Sequence, residues 1–143
     1  MTNAGIRSFD SDERMAKLIL RFKPDVVIIN LGTNNVANPR PDALAGNIRS
    51  IVDKVRPRDC YWIGPPLPIA AIKKDTGVIN AIAESAPPCK FFDSSPLSIE
   101  RQTDRVHPTD RGGEAWAEAF WLFLLSGAMP EQVDSGSRRA AHP

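Results

Sequence analysis

No run of apolar residues in this 143-residue chain approaches the ~20 that a bilayer-crossing helix needs, which excludes a membrane-spanning helix. Cysteine is scarce: Cys60 and Cys89 are too few for a disulfide scaffold and lack the partners of a structural zinc site. Neither sign of charge dominates. Eighteen Lys+Arg against 17 Asp+Glu leave +1 with neutral His, so no global field directs the chain to nucleic acid or to an anionic membrane surface. The pairs Lys73-Lys74 and Arg138-Arg139 are too short to alter that. No ligand set has metal spacing, no Gly-rich phosphate loop occurs, and no repeat of fixed period is present. The first residues, Met1-Thr2-Asn3-Ala4-Gly5, have neither the basic start nor the apolar stretch of a signal peptide, which by itself points to the cytoplasm.

What remains is the composition of one soluble globular domain, 42% hydrophobic and 24% charged, expected over residues 1–127 with a polar tail at 128–143. Thirteen prolines, well above the usual ~5%, cluster between periodic segments and punctuate the fold. From Asp10 to Phe22, Met15, Leu18, Ile19 and Phe22 fall at helical spacing, and Asp10 with Glu13 resembles a capping box, predicting one amphipathic helix. Asp25–Leu31 is a continuous, largely β-branched run, the composition of a strand buried on both faces of a parallel sheet.

The pattern then repeats. A helix carrying Leu44, Ile48, Ile51, Val52 and Val55 follows, then a strand at Cys60–Ile63 and a helix near Thr76–Ala86. A strand at Lys90–Asp93 and a last helix from about Thr109, packed through Trp116, Phe120 and Phe123 and stopping near Gly127, complete the chain. Strands alternating with helices predict an α/β fold with right-handed crossovers.

Functional groups of such sheets gather at the carboxyl ends of the strands. Gly32-Thr33-Asn34 follows the most hydrophobic strand; the glycine turns the backbone, and the Asn34 amide is of the type that stabilises a developing oxyanion, or else an ordinary turn residue. In Asp104-Arg105-Val106-His107, the acid three residues ahead of the histidine can hold one ring nitrogen while the other faces a cleft. The alternative is a loop-capping Asp104 and a surface His107. Trp62 reads as core, Asp93 as a turn cap and Arg105 as solvated.

In this order and at these positions, the two loops resemble the SGNH (GDSL-type) hydrolases: esterases, lipases, thioesterases and carbohydrate acetylesterases. Gly32 and Asn34 match that family's Gly-x-Asn block, and Asp104 and His107 its Asp-x-x-His block. His107-Pro108-Thr109, Gly113 and Trp116-Ala117 are similar to its closing block, and Asn3-Ala4-Gly5 to its second. The resemblance implies a three-layer, flavodoxin-like parallel sheet with helices on both faces. It also implies Ser-His-Asp chemistry without a cofactor or a metal, on small-molecule or carbohydrate esters. His107 would be the base, Asp104 its orienter, and Asn34 with the Gly5 N–H the oxyanion donors, with Gly32, Thr33, Asn35 and Ser8 around them.

The departures are equally specific. No Gly-Asp-Ser, the family's nucleophile block, occurs in the chain, and Asn35 stands where the family usually has aspartate. Met1 aligns near the end of the family's second strand, so the first strand and its helix are expected to be missing. The flank of Asp25–Leu31 would then be an unpaired edge open to self-association. Ser8 is the nearest substitute serine, ahead of Ser94, Ser95 and Ser98, but none has the strand-turn-helix setting of a nucleophile. Three readings follow: an ester hydrolase of low activity, a non-catalytic module that keeps the cleft, or a remnant that folds only with a missing segment or a partner. Cys60 and Cys89 lie at the starts of neighbouring strands, within disulfide range if their side chains face alike; a bridge would favour a periplasmic or secreted protein.

Overall fold

Three short runs rich in β-branched and aromatic residues pair side by side in the computed structural model, which describes residues 5–67 and 77–126. They are β1 (Val26–Asn30), β2 (Asp59–Ile63) and β3 (Lys90–Phe92), all parallel, in the order β1-β2-β3. Val26 pairs with Asp59 and Asn30 with Ile63; Tyr61 pairs with Lys90 and Ile63 with Phe92. Helices α1 (Ile6–Ser11) and α2 (Arg14–Phe22) precede β1, α3 (Ala45–Val55) and α4 (Gly77–Ser85) lie in the crossovers that parallel strands need, and α5 (Asp110–Ser126) follows β3. Asn3-Ala4, Pro68, Lys73-Lys74, Gly127, Arg138-Arg139 and the expected tail lie outside the described residues.

Side chains alternate along β2, so this one strand serves two cores. Cys60 and Trp62 face a cluster with Ile6, Met15, Ile29, Ile48, Ile51, Val52, Val55 and Ile82, contributed by β1 and by α1 to α4. Ile63 and Tyr61 face Phe92, Phe120 and Phe123, beneath α5. The sheet therefore has helices on both faces, the α/β architecture the resemblance implies. Trp62 is fully buried and its indole N–H donates to the Leu31 carbonyl (3.1 Å), which makes it a core residue and ties the end of β1 to β2. Phe92 meets Phe120 and Phe123 at ring-centroid distances of 5.4 and 5.1 Å.

Two expectations are corrected. The predicted Asp10–Phe22 helix is two helices, broken at Asp12-Glu13, where Glu13 takes the left-handed conformation (φ 53°). Asp10 does not cap it. Its carboxylate accepts hydrogen bonds from Asn47 (2.9 Å), Ser50 (2.7 Å) and Lys54 (2.7 Å), fastening α1 to α3. Burial works to raise the Asp10 pKa, but the Lys54, Asn47 and Ser50 hydrogen bonds and the Lys54 charge together hold it below its ordinary value.

The second correction concerns β1, which is not buried on both faces: Val26 and Ile28 are 51% and 54% exposed. Only Val27 and Ile29 turn toward the α1–α3 layer, and α5 lies over β2 and β3. A groove of about 380 Å³ runs along this flank, bordered by Leu18, Phe22, Val26 and Ile28.

Gly112, in the first turn of α5, lies against the Glu100 backbone so closely that a β-carbon there would stand 2.1 Å from the Glu100 oxygen. The helix that follows the Asp104–His107 loop is thereby pressed onto the segment that precedes it. Gly113, which matches the resemblance's closing block, has open space instead.

Cys60 and Cys89 form a disulfide across a sequence separation of 29, with Cα atoms 4.6 Å apart. Loop-closure entropy for a loop of this length corresponds to ~3.5 kcal/mol. Reduction should lower unfolding stability by about 3 kcal/mol, read from urea unfolding with and without a phosphine reductant as a lower midpoint, with a slope that does not fall because the freed unfolded chain exposes more surface. An unchanged midpoint would show that the bridge does not constrain the chain.

Candidate functional site

Three loops leave the carboxyl ends of the strands, and all expected site residues except Gly5 and Ser8 lie on them. The first begins at Gly32, whose φ of 133° is a conformation L residues rarely adopt. A β-carbon there would meet Ile82 Cδ1 at 3.0 Å and Pro65 Cδ at 3.1 Å, so glycine is required by conformation and by space. The turn it permits is a single 3-10 turn, Thr33–Asn35, closed by the Asn35 N–H donating to the Gly32 carbonyl at 2.7 Å.

In that turn Asn34 is exposed. Asn35 reaches back: its Oδ1 accepts the Ile6 N–H at 3.0 Å, and its carboxamide lies beside Gly5. The structure thus joins Gly5, Asn34 and Asn35 at one rim, and the residue that departs from the resemblance is the one that makes the link. Ser8 is exposed, its hydroxyl donating to the Gly5 carbonyl at 3.0 Å, an ordinary local bond of a helix start.

After β3, Asp93 caps its own turn by accepting the Ser95 N–H at 2.9 Å. Ser94 is fully buried and accepts the Trp116 indole N–H at 2.8 Å, anchoring α5 from within. The chain then reaches the third loop. Asp104 Oδ2 lies 2.6 Å from His107 Nδ1, while Asp104 Oδ1 accepts the backbone N–H groups of Val106 and His107, each at 2.9 Å. With Nδ1 engaged by the carboxylate, Nε2 is the ring nitrogen left for other work. The histidine side chain is 63% exposed. Arg105, between acid and base, is exposed with φ 59°, the bend that lets the carboxylate curl back on the histidine.

Arg101 carries no sequence signal of its role. One guanidinium nitrogen donates to the Val106 carbonyl and the other to the Leu67 carbonyl (3.1 Å), tying the Asp104–His107 loop to the segment after β2. Gln102 adds two bonds, from its backbone N–H to the His107 carbonyl (2.8 Å) and from its side chain to the Pro108 carbonyl (3.0 Å). No motif marks these residues; their role comes from bonds to main-chain carbonyls, which sequence does not display. Among the described residues no hydrogen bond joins the Asp104–His107 pair to the Gly5–Asn35 rim. Their connection runs through the 64–67 segment, which touches Gly32 at Pro65 and Arg101 at Leu67.

Among the described residues, no group of three or more His, Cys, Asp or Glu side chains is placed to hold a metal ion, and no helix is long and apolar enough to cross a membrane. Residues 1–115 match the model of the GDSL-like lipase/acylhydrolase family, covering both loops and the Gly5 rim. No curated protein and no solved structure matches the chain.

Asp104 carries the clearest electrostatic signature. The His107 hydrogen bond foremost, then the two backbone N–H groups, lower its pKa from 3.8 to about 2. Because the folded value is depressed, the carboxylate's contribution to the loop is fully present above pH 3.8 and is lost as pH falls through about 2. Carbon-detected NMR should therefore show the Asp104 carboxyl titrating near 2, and His107→Ala should move it up toward 3.8. A midpoint already near 3.8 in the unmodified chain would mean that the pair is not formed.

Proposed function

Because the chain belongs to the GDSL-like lipase/acylhydrolase family, we propose that its site is built for hydrolysis of acyl or acetyl esters of small molecules or carbohydrates. The carrying observation is the 2.6 Å contact of His107 Nδ1 with an Asp104 carboxylate already fixed by two backbone donors. In this reading, Asp104 holds the imidazole in one tautomer and stabilises the imidazolium. His107 Nε2 removes the proton from the attacking hydroxyl and later gives it to the leaving alcohol. Asn34 and the Gly5 N–H receive the negative charge that develops on the carbonyl oxygen. The chemistry calls for no cofactor.

The 143 residues contain no Gly-Asp-Ser. Loss of the nucleophile from such a triad typically costs ~10⁶-fold in kcat, with perhaps 10³-fold over water remaining from the oxyanion donors and binding. The chain by itself is therefore proposed to be a weak esterase. The same absence favours a second reading, a binding module that retains the cleft without turnover. The Cys60–Cys89 disulfide supports an oxidising compartment, periplasmic or extracellular.

Turnover of p-nitrophenyl acetate decides between the two readings. The hydrolase reading expects a slow rate above buffer that His107→Ala abolishes. If Ser8→Ala leaves that rate unchanged, Ser8 is not the nucleophile. A rate equal to buffer removes the hydrolase reading for this chain and favours the binding module.

Self-association through the free flank of β1 is also proposed. Val26–Asn30 carries no charge and no proline to block pairing, and antiparallel contact about Ile28 would be self-complementary. Light scattering over a concentration series should show mass rising above 15.7 kDa in the unmodified chain and staying there for Ile28→Lys. A monomer at all concentrations would refute it.

A further inference from the structure

A small polar cleft of about 250 Å³ adjoins the Gly5–Asn35 rim, bordered by Arg7 of α1, by Asn35 and Asn38, and by Arg40. Its hydrogen-bonding capacity is one-sided. Asn35 spends its carboxamide oxygen on the Ile6 N–H, and Asn38 spends its own on the Arg40 N–H at 3.0 Å. Those backbone donors also fix which end of each amide is oxygen, leaving the NH₂ groups as what each side chain can offer. Three main-chain carbonyls around it are engaged by backbone donors: Asn35 O accepts from the Asn38 N–H, Arg40 O from the Ala43 N–H, and Gly5 O from the Phe9 N–H.

Both arginines are exposed, and neither is paired with a carboxylate among the described residues. The carboxylates in ion pairs there are Asp10, Asp12, Asp53 and Asp104, engaged by Lys54, Arg14, Arg56 and His107. The lining therefore presents two guanidinium groups and two amide NH₂ groups, and each amide oxygen already accepts one backbone N–H. A ligand complementary to it must be rich in acceptors and negatively charged.

We infer that this cleft is an anion subsite that holds a carboxylate, sulfate or phosphate group borne by the ester substrate. The inference rests on the hydrolase reading for the word substrate, since Asn35 is shared between the cleft and the rim where the Asn34 amide would meet the carbonyl oxygen. An anionic group seated on Arg7 and Arg40 would set the ester beside Asn34. The site would thus select charged esters over neutral ones of the same size.

The test is a titration of the full chain with inorganic phosphate, sulfate and acetate, followed by amide NMR at constant ionic strength set with sodium chloride. Saturable shifts are expected at Asn35, Asn38 and Arg40. Affinity should fall at least about tenfold in the Arg7→Gln/Arg40→Gln double variant, and by less in Arg7→Lys/Arg40→Lys, which keeps the charge but loses the planar fork. Shifts that do not saturate, or that survive undiminished in the glutamine variant, overturn the subsite. Hydrolysis is read separately on neutral p-nitrophenyl acetate. Anion binding without any ester turnover would overturn the hydrolase reading and leave the anion site standing; turnover without anion binding would do the reverse.

Discussion

The pairing of β2 with a parallel strand on each side is the constraint on which the remainder of the molecule depends. Because β2 alternates Cys60 and Trp62 with Tyr61 and Ile63, removing it from the sheet would empty both cores at once. Its ends also organise the loops. Gly64 donates to the Phe92 carbonyl at 2.8 Å, and Trp62 draws in the Leu31 carbonyl, so the segments leaving all three strands start from positions locked to one another. The disulfide acts on the same strand from its other end, joining Cys60 to the residue just before β3. Among the described residues the three-stranded sheet is thus braced at the top by hydrogen bonds and at the bottom by a covalent link.

Much of this arrangement is legible in the sequence, because it follows from periodicity. The β-branched run of β1, the helical spacing of Ile48, Ile51, Val52 and Val55, and the aromatic spacing of α5 each identify an element within a residue or two of its observed bounds. Periodicity fails where a tertiary partner overrides a local signal. Asp10 looks like a helix cap, yet Lys54, Asn47 and Ser50 together offer its carboxylate more than a helix terminus would, and the helix breaks two residues later. The β1 run reads as buried on both faces because its composition is that of a central strand; one face and one flank nevertheless meet solvent. Composition reports what a strand is suited to, and neighbours decide how much of it is covered.

The site divides along the same line. Asp104 and His107 lie three residues apart, so their contact is local and can be read from spacing alone. The rim joining Gly5 to Asn35 spans almost thirty residues of sequence and depends on one side-chain-to-backbone bond, from Ile6 N–H to Asn35 Oδ1, which no local pattern announces. Arg101 is invisible for a related reason: it recognises carbonyl oxygens of Val106 and Leu67, groups every residue possesses.

The two halves of the site are consequently held by different physics. The Asn34 half hangs on a backbone turn packed into the core, where Gly32 has a φ of 133° and a β-carbon would crowd Pro65 and Ile82. Its geometry is steric and should be indifferent to pH and salt. The His107 half is a solvent-facing loop held by charge-assisted hydrogen bonds, an arrangement that forms and dissolves with the ionisation of one carboxylate. His107 stands on a loop outside both cores, whereas Asn34 follows a Gly32 packed against Pro65 and Ile82. One half is therefore fixed by packing, the other by hydrogen bonds at the surface. Arg101, reaching from the loop's own base to Leu67, ties that surface loop to the segment after β2.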